Sequence, residues 1–194
     1  MARFTGPSRE AYTPRQREFH ERYTTGPRAD PNAPFHLADA DGNLIGPPSV
    51  WILSPEIGFA LAGIGYQMRW GIDFSERARE AAILAVGYSL ESPFELYAHE
   101  RAGRAAGLSD ADLGAIAARR IPEGADEEVR IALEAAWRIL DTGTLDDETY
   151  ARGLAVFGLE RLFQLVALVS YYRMVATHLA VFGVVPPEDR GDAH

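Results

Sequence analysis

Among the five histidines of the chain, His99 has the neighbours that proton transfer needs. It follows Glu95 by four residues on a predicted helix, so the two side chains share a face. Glu80 lies on the preceding predicted helix. The segments 75–90 and 93–106 are joined by only a few residues, which makes them antiparallel neighbours and turns Glu80 toward the Glu95/His99 side. A carboxylate beside an imidazole raises its basicity and fixes its tautomer, as acid–base work near neutral pH requires. Plainer roles compete for the same residues. Ser92-Pro93-Phe94-Glu95 reads as a capping box that explains Glu95 without chemistry. Glu80 is also placed to pair with Arg77 or Arg79 at the surface, and a histidine next to aromatic residues often only fills space. Arg69 is a candidate anchor for a substrate carboxylate or a helix-surface ion pair. As metal ligands Glu95 and His99 would need a second cluster, and His20, His36, His178 and His194 are too dispersed to supply one.

The elements that must hold these residues are helices. Thr13-Pro14-Arg15-Gln16 is a capping box with proline at the first helical position. Ser54-Pro55 opens a helix reaching about Trp70, and Ser75 opens the next, with Ala78, Ala82, Ala85 and Val86 at helical spacing. Gly107 closes the helix begun at Ser92, and Ser109 starts a short one. A stripe of Val129, Leu133, Ala136 and Leu140 marks a helix over 127–140, and two more follow over 144–157 and 159–182, separated at Gly158. Strand signals are nearly absent, and 39–48 reads as an irregular loop. The expectation is an all-α chain divided into a loosely structured arm over 1–50 with one short helix, a helical domain over 51–185 and a frayed tail over 186–194.

Composition removes several classes of function. The chain has 194 residues, 19 basic against 28 acidic, and a net charge of −9, with no basic run to follow a phosphate backbone, so no nucleic-acid partner is expected. Cysteine is absent, which excludes thiol peroxidases, disulfide exchange and iron–sulfur chemistry. No phosphate loop, nucleophile elbow or dinucleotide fingerprint occurs. The apolar stretch 162–185 carries Gln164, Arg173 and His178 at positions costly in lipid, and the first 34 residues lack an apolar sorting core. A soluble, cytoplasmic protein without a membrane partner is expected.

The spacing Glu80, Ser92, Glu95, His99 within 77–100, followed by Ala105-Ala106-Gly107-Leu108-Ser109, resembles the γ-carboxymuconolactone decarboxylase family of the alkylhydroperoxidase D-like superfamily. The likeness reaches upstream through Gly46-Pro47, Ser54-Pro55-Glu56, Gly65 and Arg69, and downstream to Tyr171-Tyr172 and Phe182-Gly183-Val184. Redox members of the superfamily would have cysteines at positions 92 and 95. The chain looks like the cysteine-free decarboxylase branch. Gln164 departs from the pattern, standing where many relatives carry a glutamate.

The resemblance implies an alkylhydroperoxidase D-like helical fold assembled as a trimer or hexamer. It also implies a decarboxylase, a carboxy-lyase acting without a cofactor on a carboxylated lactone or a similar carbonyl compound. The substrate's own carbonyl would be the electron sink, so the protein has to stabilise an oxyanion and deliver one proton to carbon. His99 is the expected proton donor, Glu95 or Glu80 the group that orients it, and Arg69 and Ser92 the expected substrate contacts. The alternative is a catalytically silent oligomer of the same fold that binds a small molecule or a partner protein.

Overall fold

The computed structural model describes residue 4, residues 6–25, residue 30 and residues 32–187. After a 3-10 turn at Arg9–Ala11 come helices α1 (Pro14–Thr24), α2 (Pro47–Trp51), α3 (Pro55–Trp70), α4 (Glu76–Ser89), α5 (Pro93–Ala105), α6 (Asp110–Ala117), α7 (Glu127–Thr142) and α8 (Asp147–Phe182). Among the described residues strand pairing is limited to one isolated bridge, Ala38 with Leu44. The chain is all-α.

Helix α4 is the axis of the structure. Ala78, Ala81, Ala82, Ala85 and Gly87 keep its surface thin, while Ile83, Leu84 and Val86 fill the space between neighbours, and all are buried. A helix apolar on every side belongs inside a protein. It packs against α5, α6, α7 and α8. Gly87 lies beside Leu96 and Leu84 beside Gly103, which sets α4 and α5 in antiparallel register and turns position 80 toward position 99. The α7 stripe is wider than its spacing suggested. Ile131, Ala132, Ala135 and Ile139 join Val129, Leu133 and Ala136 in the core.

Caps fix the helix ends much as their sequences dictate. Thr13 and Gln16 form a reciprocal capping box, as do Ser109 and Asp112, while Ser75, Asp126 and Asp146 each accept one hydrogen bond from the first turn. Gly158 has φ 70° and ψ 174° inside α8, a conformation essentially reserved for glycine, so the element is two helices meeting at a corner. Gly46, at φ 65° and ψ −148°, begins α2, and a side chain there would run into the Phe94 ring.

The N-terminal arm differs from expectation. Phe19 and Tyr23 of α1 are fully buried, Phe19 against Phe59 of α3, and Leu44, Ile45 and Val50 also join the core. An amphipathic helix with two large aromatic residues on one face gains more by docking than by remaining in water. The boundary drawn at residue 50 falls inside α2. Most of the tail, including His194, lies outside the described residues.

By length and composition α8 is long and apolar enough to cross a bilayer, with 33% of its most apolar window buried. Gly158 breaks it, and Leu162, Leu165, Leu168, Val169, Tyr172 and Val175 are covered by other helices. Its remaining apolar side chains form a surface discussed below.

Candidate active site

Glu80 is a carboxylate on the most buried helix, 1% exposed. An ion in such a place needs partners. His99 supplies the main one, with Nδ1 2.7 Å from Glu80 Oε2, and Arg79 Nε lies 3.4 Å from Oε1. Burial works to raise the Glu80 carboxyl, but the charge and hydrogen bond of His99, with Arg69 and Arg79 behind them, outweigh it and hold the group below the usual glutamate range. Arg77 pairs instead with Asp112. An ionised Glu80 must accept a proton from Nδ1, so His99 presents Nε2 on its other side.

Glu95 faces that nitrogen. Its Oε2 lies 3.5 Å from His99 Nε2, and this oxygen is buried without a hydrogen-bond partner. The capping box expected here does not form: Ser92 makes no side-chain cap, and its Oγ is likewise buried and unpartnered. The Ser92 backbone N–H bonds to the Gly87 carbonyl at 3.0 Å, so Glu95 has no cap donor to reach back to, and its side chain is buried instead. Burial raises the Glu95 carboxyl to about 7; His99 opposes the rise, Glu80 adds to it and Arg69 opposes it. Two carboxyl groups thus flank one imidazole in different states, the condition that separates an acid from a base at one pH.

Around this line lies a cavity of about 50 Å³ bounded by Phe35, Trp51, Arg69, Glu95, His99 and Tyr172. The Tyr172 ring meets the His99 ring edge-on at 5.0 Å. Burial lifts the Tyr172 hydroxyl well above its ordinary range, so it is a neutral phenol. The Arg69 guanidinium lies over the rings of Phe35 (4.9 Å) and Trp70 (5.2 Å), and its Nε is buried without a hydrogen-bond partner.

The structure therefore brings together Glu80, Glu95, His99 and Arg69. Ser92 does not line the cavity, and Gln164 is elsewhere, accepting a hydrogen bond from the Asp73 backbone at 3.2 Å. Compared with protein-family models, curated proteins and solved structures, the chain matches none. Among the described residues no group of three or more histidine, aspartate or glutamate side chains is arranged to hold a metal ion. His178 is engaged by the Trp51 indole, which donates to its Nδ1 at 3.1 Å, and His20 Nε2 meets the Gly42 carbonyl at 2.6 Å.

Phe35 and Tyr172 were not legible as site residues. Phe35 lies in a loop with no periodicity to give it a direction, well before the helix pair in sequence. Tyr172 belongs to an apolar helix whose pattern marks it only as core.

Proposed function

We propose that the chain is a cofactor-independent proton-transfer enzyme, a decarboxylase or close relative acting on a carboxylated lactone or similar carbonyl compound. One observation carries the proton-transfer part of this reading: Glu95 is buried, its Oε2 makes no hydrogen bond and its carboxyl is raised to about 7, at the end of a line Glu80–His99–Glu95 beside a cavity, while the substrate class rests on the family resemblance of the sequence. A buried polar oxygen without a partner is costly, and such groups are frequent where chemistry is done.

The array also reassigns the roles expected from sequence. Both His99 nitrogens face carboxyl groups, so the proton donor to substrate is Glu95, with His99 behind it and Glu80 fixing the tautomer. In the reaction the bond from the substrate to its carboxylate breaks, carbon dioxide leaves and the electron pair moves through the double bond to the carbonyl oxygen. Protonated Glu95 then gives its proton to carbon, the carboxylate so formed facing His99 Nε2, and a proton from solvent restores it. A guanidinium on the departing carboxylate would hold it in the charged form that has to be lost. Arg69 therefore serves a retained carboxylate or the oxygen on which charge collects, and the neutral Tyr172 hydroxyl is a second donor for that oxygen.

The experiment is a screen for carbon dioxide release from carboxylated lactones and β-keto acids, repeated with Glu95→Gln. The expected result is turnover lowered about 10²–10⁴-fold with the fold intact. Equal turnover in the variant removes Glu95 from the chemistry, and no release from any substrate favours the silent binding protein.

The same reading takes the fold as alkylhydroperoxidase D-like, the protein as cytoplasmic and the assembly as a trimer or hexamer. The last has a surface to support it. Leu53, Ile57 and Ile64 of the α2–α3 region and Leu159, Phe163 and Val166 of α8 are exposed, Phe163 by 71%, and α3 and α8 are neighbours. Large apolar side chains gathered on adjoining helices mark an association surface.

A further inference from the structure

The reaction cavity is much too small for the substrates just described. Ligand pockets usually measure about 300–1,000 Å³, and this one holds about 50 Å³, room for little more than water. Phe35 is part of its wall. Its ring lies under the Arg69 guanidinium at 4.9 Å and 5.6 Å from the His99 ring, so a flat, unsaturated six-membered ring sits between the cationic group and the imidazole. On the far side of Arg69 is a groove of about 720 Å³, bordered by Asn32, Ala33 and Pro34 of the same segment and by Trp70, Arg79 and Glu80. Arg69 thus lines both the wide groove and the narrow cavity, with Phe35 against its guanidinium on the cavity side and Glu80 bordering the groove.

Little else fastens this segment. Ala33 bonds back to Asp30 and Leu37 accepts from Ile45, but among the described residues no backbone hydrogen bond ties residues 34–36 to a helix. Phe35 is only partly buried and makes the segment's ring contacts with the site.

We propose that Phe35 occupies the seat of the substrate ring, and that the site takes a planar, unsaturated carboxylate that displaces Phe35 from between Arg69 and His99. The ring would stack where Phe35 stacks, its retained carboxylate meeting the buried, unpartnered Arg69 Nε. The Phe35 segment then leaves toward the groove, and the ligand lies beside Glu95. Because the plug competes with ligand, it weakens apparent affinity by the fraction of time it is seated. This rests on the proton-transfer reading for its substrate class but is tested through binding alone.

Calorimetric titration of the full chain with benzoate, and with the neutral benzamide, tests it. Phe35→Ala is expected to bind benzoate at least about tenfold more tightly than the unaltered protein, and benzamide at least about tenfold more weakly than benzoate, a preference lost in Arg69→Gln. Benzoate binding that is unchanged or weaker in Phe35→Ala makes Phe35 a fixed part of the wall and overturns the proposal, as does equal affinity for the acid and the amide. Should Phe35→Ala fail to fold, Phe35→Leu decides in its place, since it keeps an apolar anchor without the flat face. Tightening supports the plug, and unchanged affinity overturns it. Tighter benzoate binding in a chain that releases no carbon dioxide upholds the seat and removes the reaction. Carbon dioxide release without tightening does the reverse.

Discussion

Glu95 shows how far a residue's type constrains its role. From sequence, cap and acid were equally available to it, because both use glutamate at the third position of a helix. The difference lies in the Ser92 backbone N–H, which is taken by the Gly87 carbonyl and is not free for a cap, while the serine hydroxyl goes unused. The buried position has a thermodynamic signature. The folded-state value near 7 stands above the unfolded value of 4.5, so Glu95 favours the folded state below pH 4.5, and that contribution is lost as pH rises through 7. The loss amounts to about 3 kcal/mol. Thermal melts at pH 5 and pH 8 should therefore show Glu95→Gln gaining stability relative to the unaltered protein at the higher pH; equal shifts at both would place Glu95 in contact with water. Turnover should follow the same ionisation, holding below pH 7 and falling above it, because the donor has to be protonated. Glu80 was legible as facing His99, which it does, and also as a surface partner of Arg77 or Arg79; it is buried instead, with Arg79 beside it and Arg77 on Asp112. Phe35 was not legible, since loop residues carry no periodic signal that fixes their direction.

At the level of elements, sequence signals of two kinds succeeded. Hydroxyl and carboxylate caps act through bonds three residues long, so Thr13, Ser75 and Ser109 end up as written. Glycine acts through its own dihedrals, so the break at Gly158 was visible without any neighbour. A methyl group at Gly158 meets nothing within 4 Å, which leaves backbone strain as the sole cost of substitution. Gly158→Ala should lower unfolding free energy by about 1–3 kcal/mol in urea titrations, with no change in the denaturant slope. A neutral result would mean that the corner can straighten into one continuous helix. The arm over 1–50 was misread because docking of α1 depends on a surface of α3 that only tertiary structure creates.

For the molecule as a whole, the apolar side chains on α3 and α8 should hold copies together. Sedimentation at micromolar concentration is expected to give a species larger than a dimer, and Phe163→Glu to shift it toward 21.3 kDa. A single monomeric species in the unaltered chain would return this face to the list of surfaces without a partner. The burial of Glu95 also bears on descent. A population of this gene selected for heat resistance alone would gain by replacing that glutamate with glutamine, which keeps the shape and a polar group toward His99 and carries no buried charge. Retention of Glu95 through such lineages would then record selection on what the protein does, while its disappearance would date the moment the activity ceased to matter.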